Sequence, residues 1–268
     1  MKRPASVRRP APLLVTAAAV TSLVSVATAA IADYQPSPEG GAPQPETVVT
    51  TVTRLYTPPP DSPPPTNTST TTTRSGSCSS ASGPDLVPLA PQTHVGRSTS
   101  QQPTFAWFTP DVGDYTLQFF LREYLPSGSL RTIYVQELES GDRDPTGITT
   151  LSLQGADLSL AVDKTYSWNV ILVCNPNRPS ESLVAGADIE VVSAPSALRE
   201  VLAAASGSDR ARLYAESGLW YDALAESLAR DDGTSVQARL LDDLASLEAN
   251  APNPAYSDRL RQVLAQLQ

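Results

Sequence analysis

The sequence is short of the residues from which most enzyme sites are built. It has one histidine, His94, one methionine and two cysteines, so a Ser-His-Asp triad or a histidine-rich zinc site has almost no possible centre. It also lacks a glycine-rich phosphate loop and an Asp-x-Asp-x-Asp-Gly calcium loop. We interpret His94 as a packing or surface residue. We therefore expect no catalytic residue, metal or cofactor, and we predict that the chain is not an enzyme.

Paired aspartates are the remaining sign of hydrolytic chemistry. Glycoside hydrolysis needs two carboxylates in a cleft at a defined separation. The pairs are Asp142 with Asp144, Asp231 with Asp232, and Asp242 with Asp243. The first pair lies in a predicted turn and the others on or near predicted helices, where solvated loops, caps and helix faces explain them. A hydrolase stays a third hypothesis, which an exposed cleft with two convergent carboxylates would support.

The N-terminus has the order of positive charge, apolar run and small residues that is typical of a secretory signal. Residues 1–9 are positive, 13–26 are apolar, and 27–29 and 30–32 both read Ala-x-Ala. We interpret 1–32 as a signal peptide. The protein is then exported, periplasmic or extracellular, with no stable membrane span after cleavage. An uncleaved anchor is the alternative.

Residues 33–84 form a Pro/Thr/Ser-rich segment that is predicted to be a disordered linker. It holds 11 of the 25 prolines, and such a composition cannot bury enough apolar surface to offset its ordering entropy. A proline-rich ligand for a partner domain is the alternative to a simple tether. The short apolar stretch 48–56 is a candidate to dock as a strand.

Residues 85–193 have a period of two, which predicts β-structure. The predicted strands are 86–89, 104–109, 115–123, 131–138, 147–153, 165–174 and 183–192. Seven short strands separated by turn residues fit a sandwich of the immunoglobulin or fibronectin type III kind. The sixth strand places Tyr166 and Trp168 on one inward face. Leu160, six residues before Tyr166, resembles the tyrosine corner of such sandwiches.

The two cysteines, Cys78 and Cys174, are interpreted as a disulfide, because an exported chain with two cysteines more often bridges them. Cys78 precedes the first strand and Cys174 closes the sixth, which places both at one end of such a sandwich. A buried free Cys174 beside a disordered Cys78 is the alternative.

Residues 195–268 change to a helical period. The predicted helices are 197–205, 209–218, 219–230, 236–249 and 257–268. The spacing of Tyr214, Gly218, Trp220 and Ala223 resembles the middle of a tetratricopeptide repeat. One unit does not make a solenoid, so we favour a single helical hairpin that packs on the sandwich. The overall fold class is α+β, mainly β.

Several stretches together resemble a cyanobacterial family of exported proteins known as domain of unknown function 928. The stretches are 86–91, 103–108, 164–168, 172–176 and 214–224. The resemblance implies a secreted or envelope setting and no assigned activity. Family members carry a cysteine before the first strand, which supports the Cys78–Cys174 bridge. The Thr109-Pro110 pair stands where the family has a further aromatic residue, so that part of the sheet is expected to differ.

These features favour a non-enzymatic envelope protein that binds another protein. The alternative is a carbohydrate-binding module for cell-wall or extracellular polysaccharide. Parity requires that some aromatic residues of 105–108 and 119–120 face outward, and Trp107 and Phe120 are the candidates to stack on a sugar. Cover of that face by the helical hairpin is the competing interpretation. The formal net charge of −9 disfavours nucleic acid and anionic lipid as partners.

Overall fold

The computed structural model describes residues 54–66, 78, 84–139, 147–229, 234–251 and 254–267. Within these ranges the chain is a mixed α+β fold, with two β-sheets followed by helices. The strands are β1 (Val87–Pro88), β2 (Gly96–Ser98), β3 (Thr104–Phe108), β4 (Thr116–Tyr124), β5 (Leu130–Glu139), β6 (Ile148–Ser152), β7 (Lys164–Val173) and β8 (Leu183–Val191). The helices are α1 (Ser196–Ala204), α2 (Ser208–Glu216), α3 (Trp220–Leu228), α4 (Thr234–Glu248) and α5 (Ala255–Gln266).

The strands form a three-stranded sheet of order β1-β3-β6 and a five-stranded sheet of order β2-β8-β7-β4-β5. Every pair is antiparallel except β2 with β8, which is parallel. Aromatic rings from the two sheets meet between them. Phe105 lies 5.5 Å from Trp168, and Trp107 lies 6.1 Å from Phe119, centroid to centroid. Offset and tilted contacts of this kind stabilise a core beyond simple area burial.

Each of the seven predicted strands overlaps an observed one. The alternation that predicted β4 is visible in its burial, since Leu117, Phe119 and Leu121 are buried while the residues between them are partly exposed. The sequence missed β2, because three residues are too few to show a period. The immunoglobulin or fibronectin type III subtype stays a prediction.

The turn before β7 is closed by a tyrosine hydroxyl. The Tyr166 hydroxyl accepts a hydrogen bond from the Ala161 backbone N–H at 2.9 Å, and Leu160 beside it is buried. Asp163, in the same turn, adopts a left-handed backbone at φ 61°. The contact has the form described for a tyrosine corner, in which the hydroxyl bonds backbone a few residues upstream.

Residues 54–66, which we call the strap, are an ordered part of the segment 33–84 that was predicted to be a disordered linker. The strap is ordered, and the side chains of Leu55 and Tyr56 are buried. Both of their backbone N–H groups donate to Asp243 Oδ2, at 2.6 and 2.9 Å. The composition of the segment suggested that it could not offset its ordering entropy. Two buried apolar side chains and buried backbone hydrogen bonds supply the stabilisation that offsets it.

Further along the strap, a salt bridge and two backbone contacts continue the attachment. Arg97 of β2 donates to both Asp61 carboxylate oxygens, at 3.0 and 3.1 Å. The Val95 N–H donates to Pro63 O at 2.9 Å, and the Thr66 N–H donates to Asp188 Oδ2 at 2.8 Å. The predicted signal peptide 1–32 and the rest of the linker, apart from Cys78 and Pro84, lie outside the described residues.

Cys78 and Cys174 form a disulfide, with Cα atoms 5.4 Å apart and a sequence separation of 96. The pairing that the sequence predicted is therefore present. Cys78 is buried, and its Sγ lies 3.5 Å from the Leu172 carbonyl oxygen. The bridge attaches Cys78 to Cys174, the residue that follows β7.

The helices pack on one side of the sheets rather than forming a separate body. The turn between α2 and α3 requires glycine for two reasons. Gly218 has φ 72°, a conformation that side chains with a Cβ rarely adopt. A Cβ at this position would also lie 2.5 Å from the ring of Pro59 in the strap. The hairpin of α2 and α3 is present as predicted, while its likeness to a tetratricopeptide repeat stays a prediction.

Candidate functional site

The start of α3 places two aromatic side chains against the sheets. The Trp220 indole N–H donates to Leu89 O at 2.9 Å. The Tyr221 hydroxyl accepts from the Trp168 indole N–H at 2.8 Å and donates to Asp188 O at 3.1 Å. Both side chains of α3 are fully buried. The helices and the sheets thus share one core, and we call this contact region the seam.

The other residues of the predicted helical pattern have different surroundings. Ala223 is fully buried in α3, where a small side chain allows close helix packing. Tyr214 on α2 is half-buried, and its hydroxyl accepts from Arg210 at 3.3 Å. The guanidinium of Arg210 also lies 5.8 Å from the centre of the Tyr214 ring. Tyr214 therefore lies at the rim of the seam, while Trp220 lies inside it.

Buried carboxylates attach the loops and the strap to the body of the fold. Asp222 of α3 accepts from the Thr99 N–H at 2.7 Å and from the Ser98 hydroxyl at 3.1 Å. Glu248 of α4 accepts from Gln92 and Thr93 backbone N–H groups at 2.8 and 3.1 Å. Burial raises the pKa of both acids, that of Asp222 to about 6.

Asp243 does the same for the strap. Sequence reasoning did not predict this structural role for any of the three acids. It had paired Asp243 with Asp242 as a hydrolytic candidate, but Asp242 is exposed while Asp243 is buried and committed to backbone donors. The two carboxylates do not converge. The signal available in the sequence was an acidic residue at an apolar position of a helix. Such a position predicts that the acid is buried with a hydrogen-bond partner, but it does not identify that partner.

His94 is a packing residue of the seam. It is 7% exposed, and its Nε2 lies 2.7 Å from the Tyr56 hydroxyl. Tyr56 in turn meets Trp220 edge to face at 4.9 Å. Burial lowers the pKa of His94 to about 4, because the charged form loses its hydration. The ring is therefore neutral at physiological pH and packs against the strap.

Trp107 is not a surface aromatic, which corrects one of the two predicted sugar-stacking positions. It is fully buried between the sheets. Parity does not expose its neighbours in β3 either, because Phe105, Ala106 and Phe108 are buried as well. The sheets cover one face of β3, and the other face is also covered, as the burial of Phe108 shows. Two-sided burial defeats an argument from alternation.

Phe120 is partly exposed on the outer face of the five-stranded sheet. The Arg122 guanidinium lies 5.2 Å from the centre of its ring. Phe120 is the register partner of Val135 on β5, which is 54% exposed. Phe120 and Val135 therefore form an apolar pair across the outermost ladder of the sheet.

A cleft of about 340 Å³ opens at the rim of the seam. The loop from β2 to β3 forms one wall, α2 and α3 form the other, and Gln154, two residues after β6, also lines the cleft. Its polar lining includes Gln102, Thr104, Gln154, Arg210, Tyr214 and Glu226. Within the described part of the chain, no three histidine, cysteine or acidic side chains are grouped so that they could hold a metal ion.

The fold and the seam define an α+β domain of two facing sheets with a helical hairpin packed on them. The chain belongs to the family described as Domain of Unknown Function (DUF928), whose model matches residues 69–253. The match spans both sheets and most of the helices, so the family unit includes the seam.

No curated protein matches the chain. Among solved structures, one of Astrotactin-2, described as a vertebrate-specific and perforin-like membrane protein, is 15% identical. The alignment covers 71% of this chain and 37% of that chain, with a TM-score of 0.26. A likeness at that level supports no conclusion on fold or function. None of the helices in the described ranges is both long enough and apolar enough to cross a bilayer.

Proposed function

We propose that this chain is an exported, non-enzymatic module of the cell envelope that binds an extended segment of another protein along β5. The observation that carries the proposal is the place of β5. It is the outermost strand of the five-stranded sheet and pairs with β4 alone among the described residues. An outer strand offers backbone N–H and C=O groups that an added strand can satisfy.

The geometry of β5 favours one stretch of it. A register shift between Leu121 and Arg122 of β4 leaves Ile133 as an extra residue in β5. Bulges of this kind limit uncontrolled edge pairing. Beyond the bulge, Tyr134–Glu139 runs in regular register with Thr116–Leu121. A docked strand therefore finds a regular pairing template in Tyr134–Glu139, and not along the whole of β5.

The side chains on the outer face specify the chemistry of the partner. Val135 is among the few large apolar residues that are exposed, and it lies next to Phe120 across the ladder. A strand added beside β5 would place a side chain next to Val135 on the same face. We infer a partner segment with alternating apolar side chains, one of which covers Val135.

Export and the absence of catalysis are part of the same proposal. A disulfide is compatible with an exported protein, because oxidising compartments allow such bonds to persist. The one histidine is buried against Tyr56. Asp243, the buried member of its pair, is occupied by backbone donors. Neither His94 nor Asp243 is therefore available as a catalytic group, and Asp142, Asp144, Asp231 and Asp232 lie outside the described residues.

A photo-crosslinking amino acid at position 135 tests the proposal in the native cells. Val201 on α1 is the matched control, since it is 52% exposed against 54% for Val135. We expect crosslinks to a protein partner from position 135 and none of the same mass from position 201. Val135→Lys should reduce capture of that partner about tenfold, because a charge next to an apolar anchor must be desolvated. Val201→Lys should leave capture unchanged.

Equal crosslinking at both positions would contradict the proposal. So would a product that contains only two copies of this chain, since that would show self-association. Normal capture by the folded Val135→Lys variant would place the interface elsewhere.

A further inference from the structure

We propose that the cleft at the rim of the seam is a binding site for a neutral saccharide. It is separate from the strand-docking edge, because the cleft borders β2 and β3 while β5 lies at the opposite edge of the five-stranded sheet from β2. Its volume of about 340 Å³ falls at the lower end of the ~300–1,000 Å³ that is typical of small-ligand pockets. A ligand of one or two sugar rings has the right size.

Among the described residues, the one cation in the cleft is paired with an acid, and the second acid is occupied by hydrogen bonds. Arg210 donates to Glu226 Oε1 at 2.9 Å, to the Leu202 carbonyl oxygen at 2.9 Å and to the Tyr214 hydroxyl at 3.3 Å. Asp222, on the inner wall, accepts from Ser98 and from the Thr99 backbone. A phosphate or sulfate ligand would need uncommitted basic donors, and a cation would need uncommitted acids. The lining therefore favours a ligand without net charge.

Hydrogen-bonding groups remain for such a ligand. The Gln102 amide N–H₂ donates to the carbonyl oxygens of Ala156 and Leu158, both at 3.1 Å. This fixes the amide and leaves Gln102 Oε1 with no hydrogen-bond partner in the described ranges. The Tyr214 hydroxyl accepts from Arg210 and keeps its proton to donate. Glu226 accepts from Arg210 through Oε1, and its Oε2 has no hydrogen-bond partner in the described ranges.

A fixed set of donors and acceptors, whose only cation among the described residues is paired with Glu226, is suited to a polyhydroxylated ligand. A sugar hydroxyl both donates and accepts, so it can bond to Tyr214 and to Gln102 or Glu226 at once. The half-buried ring of Tyr214 adds an apolar surface for the C–H face of a sugar. Because Arg210 and Gln102 are held by protein contacts, little side-chain order is lost on binding.

The test begins with the folded, disulfide-bonded chain on an array of neutral, sialylated and sulfated oligosaccharides. We expect binding to neutral glycans. Tyr214→Phe removes one hydroxyl and should weaken the best neutral glycan about three- to tenfold in calorimetry, as expected for one hydrogen bond. Tyr134→Phe is the matched control, because it removes a hydroxyl that bonds Gln136 on β5. Ala229→Phe, at the exposed rim of the cleft, should abolish binding by filling the entrance.

Several results would overturn the proposal. These are the absence of any neutral hit, hits confined to acidic glycans, and binding of peptides in place of glycans. Unchanged affinity in both Tyr214→Phe and Ala229→Phe would place the site elsewhere. The Val135→Lys variant should bind glycan normally, so a failure of the strand-docking function leaves this test unaffected.

Discussion

The strap is the feature that a stability measurement tests most directly. Tyr56 is fully buried, meets Trp220 edge to face, and holds His94 through its hydroxyl. Truncating a buried aromatic residue to alanine costs about 3–5 kcal/mol. Leaving the His94 ring nitrogen without its partner adds about 1–3 kcal/mol unless water enters the cavity. We therefore expect Tyr56→Ala to lower the free energy of unfolding by about 4–8 kcal/mol.

A loss of that size is a large part of the ~5–15 kcal/mol that stabilises a typical domain. It corresponds to a fall of at least about 8 °C in Tm for a chain of this length. Urea unfolding followed by tryptophan fluorescence is a suitable assay, because Trp107, Trp168 and Trp220 are all fully buried. Val201→Ala, on an exposed helix face, should change stability by less than about 0.5 kcal/mol.

The strap limits how large the effect can be. If it detaches locally before the rest unfolds, the loss equals only its free energy of docking. A change below about 1 kcal/mol for Tyr56→Ala would then show that the docked strap contributes little. That result would refute the view that residues 54–66 belong to the folded core.

Two further predictions concern pH and the disulfide. The folded-state pKa of His94 is lowered to about 4 from 6.5, so its contribution is complete above pH 6.5 and is lost as the pH falls toward 4, by about 3 kcal/mol. Asp222, with its pKa raised to about 6, acts in the opposite sense over this range. The difference between wild type and His94→Gln in urea midpoints at pH 4.5 and 7 isolates the histidine, and equal differences would contradict it. Replacing Cys78 and Cys174 with alanine opens a loop of 96 positions and should cost about 4–5 kcal/mol. An unchanged urea midpoint in the double variant would be inconsistent with this loop-closure effect.

Prediction from the sequence worked best where the signal was local. The alternating apolar residues of β4 and β7 located those strands to within a residue or two. Cysteine number and position indicated the one intrachain bridge, and the helical period located each of the five described helices. These features depend on the residues of one segment and on the compartment, so a single sequence carries enough information.

Prediction failed where burial depended on distant partners. Trp107 was a candidate surface aromatic because alternation assumes that one face of a strand meets solvent, but both faces of β3 are covered. The strap was expected to be disordered because its composition is poor in apolar residues. Its order comes from two side chains and from the carboxylate of Asp243, which lies nearly 190 positions away.

The sequence by itself determined which segments become strands and helices, because hydrophobic period and turn residues act over a few positions. The tertiary structure decided which acids are buried, which aromatic residues are exposed and which edge is open. Those properties depend on the solvent exclusion and hydrogen bonds that arise only when α3, α4 and the strap meet the sheets. Asp222 illustrates the difference, since its place on a helix followed from the period while its loop partners followed from the fold.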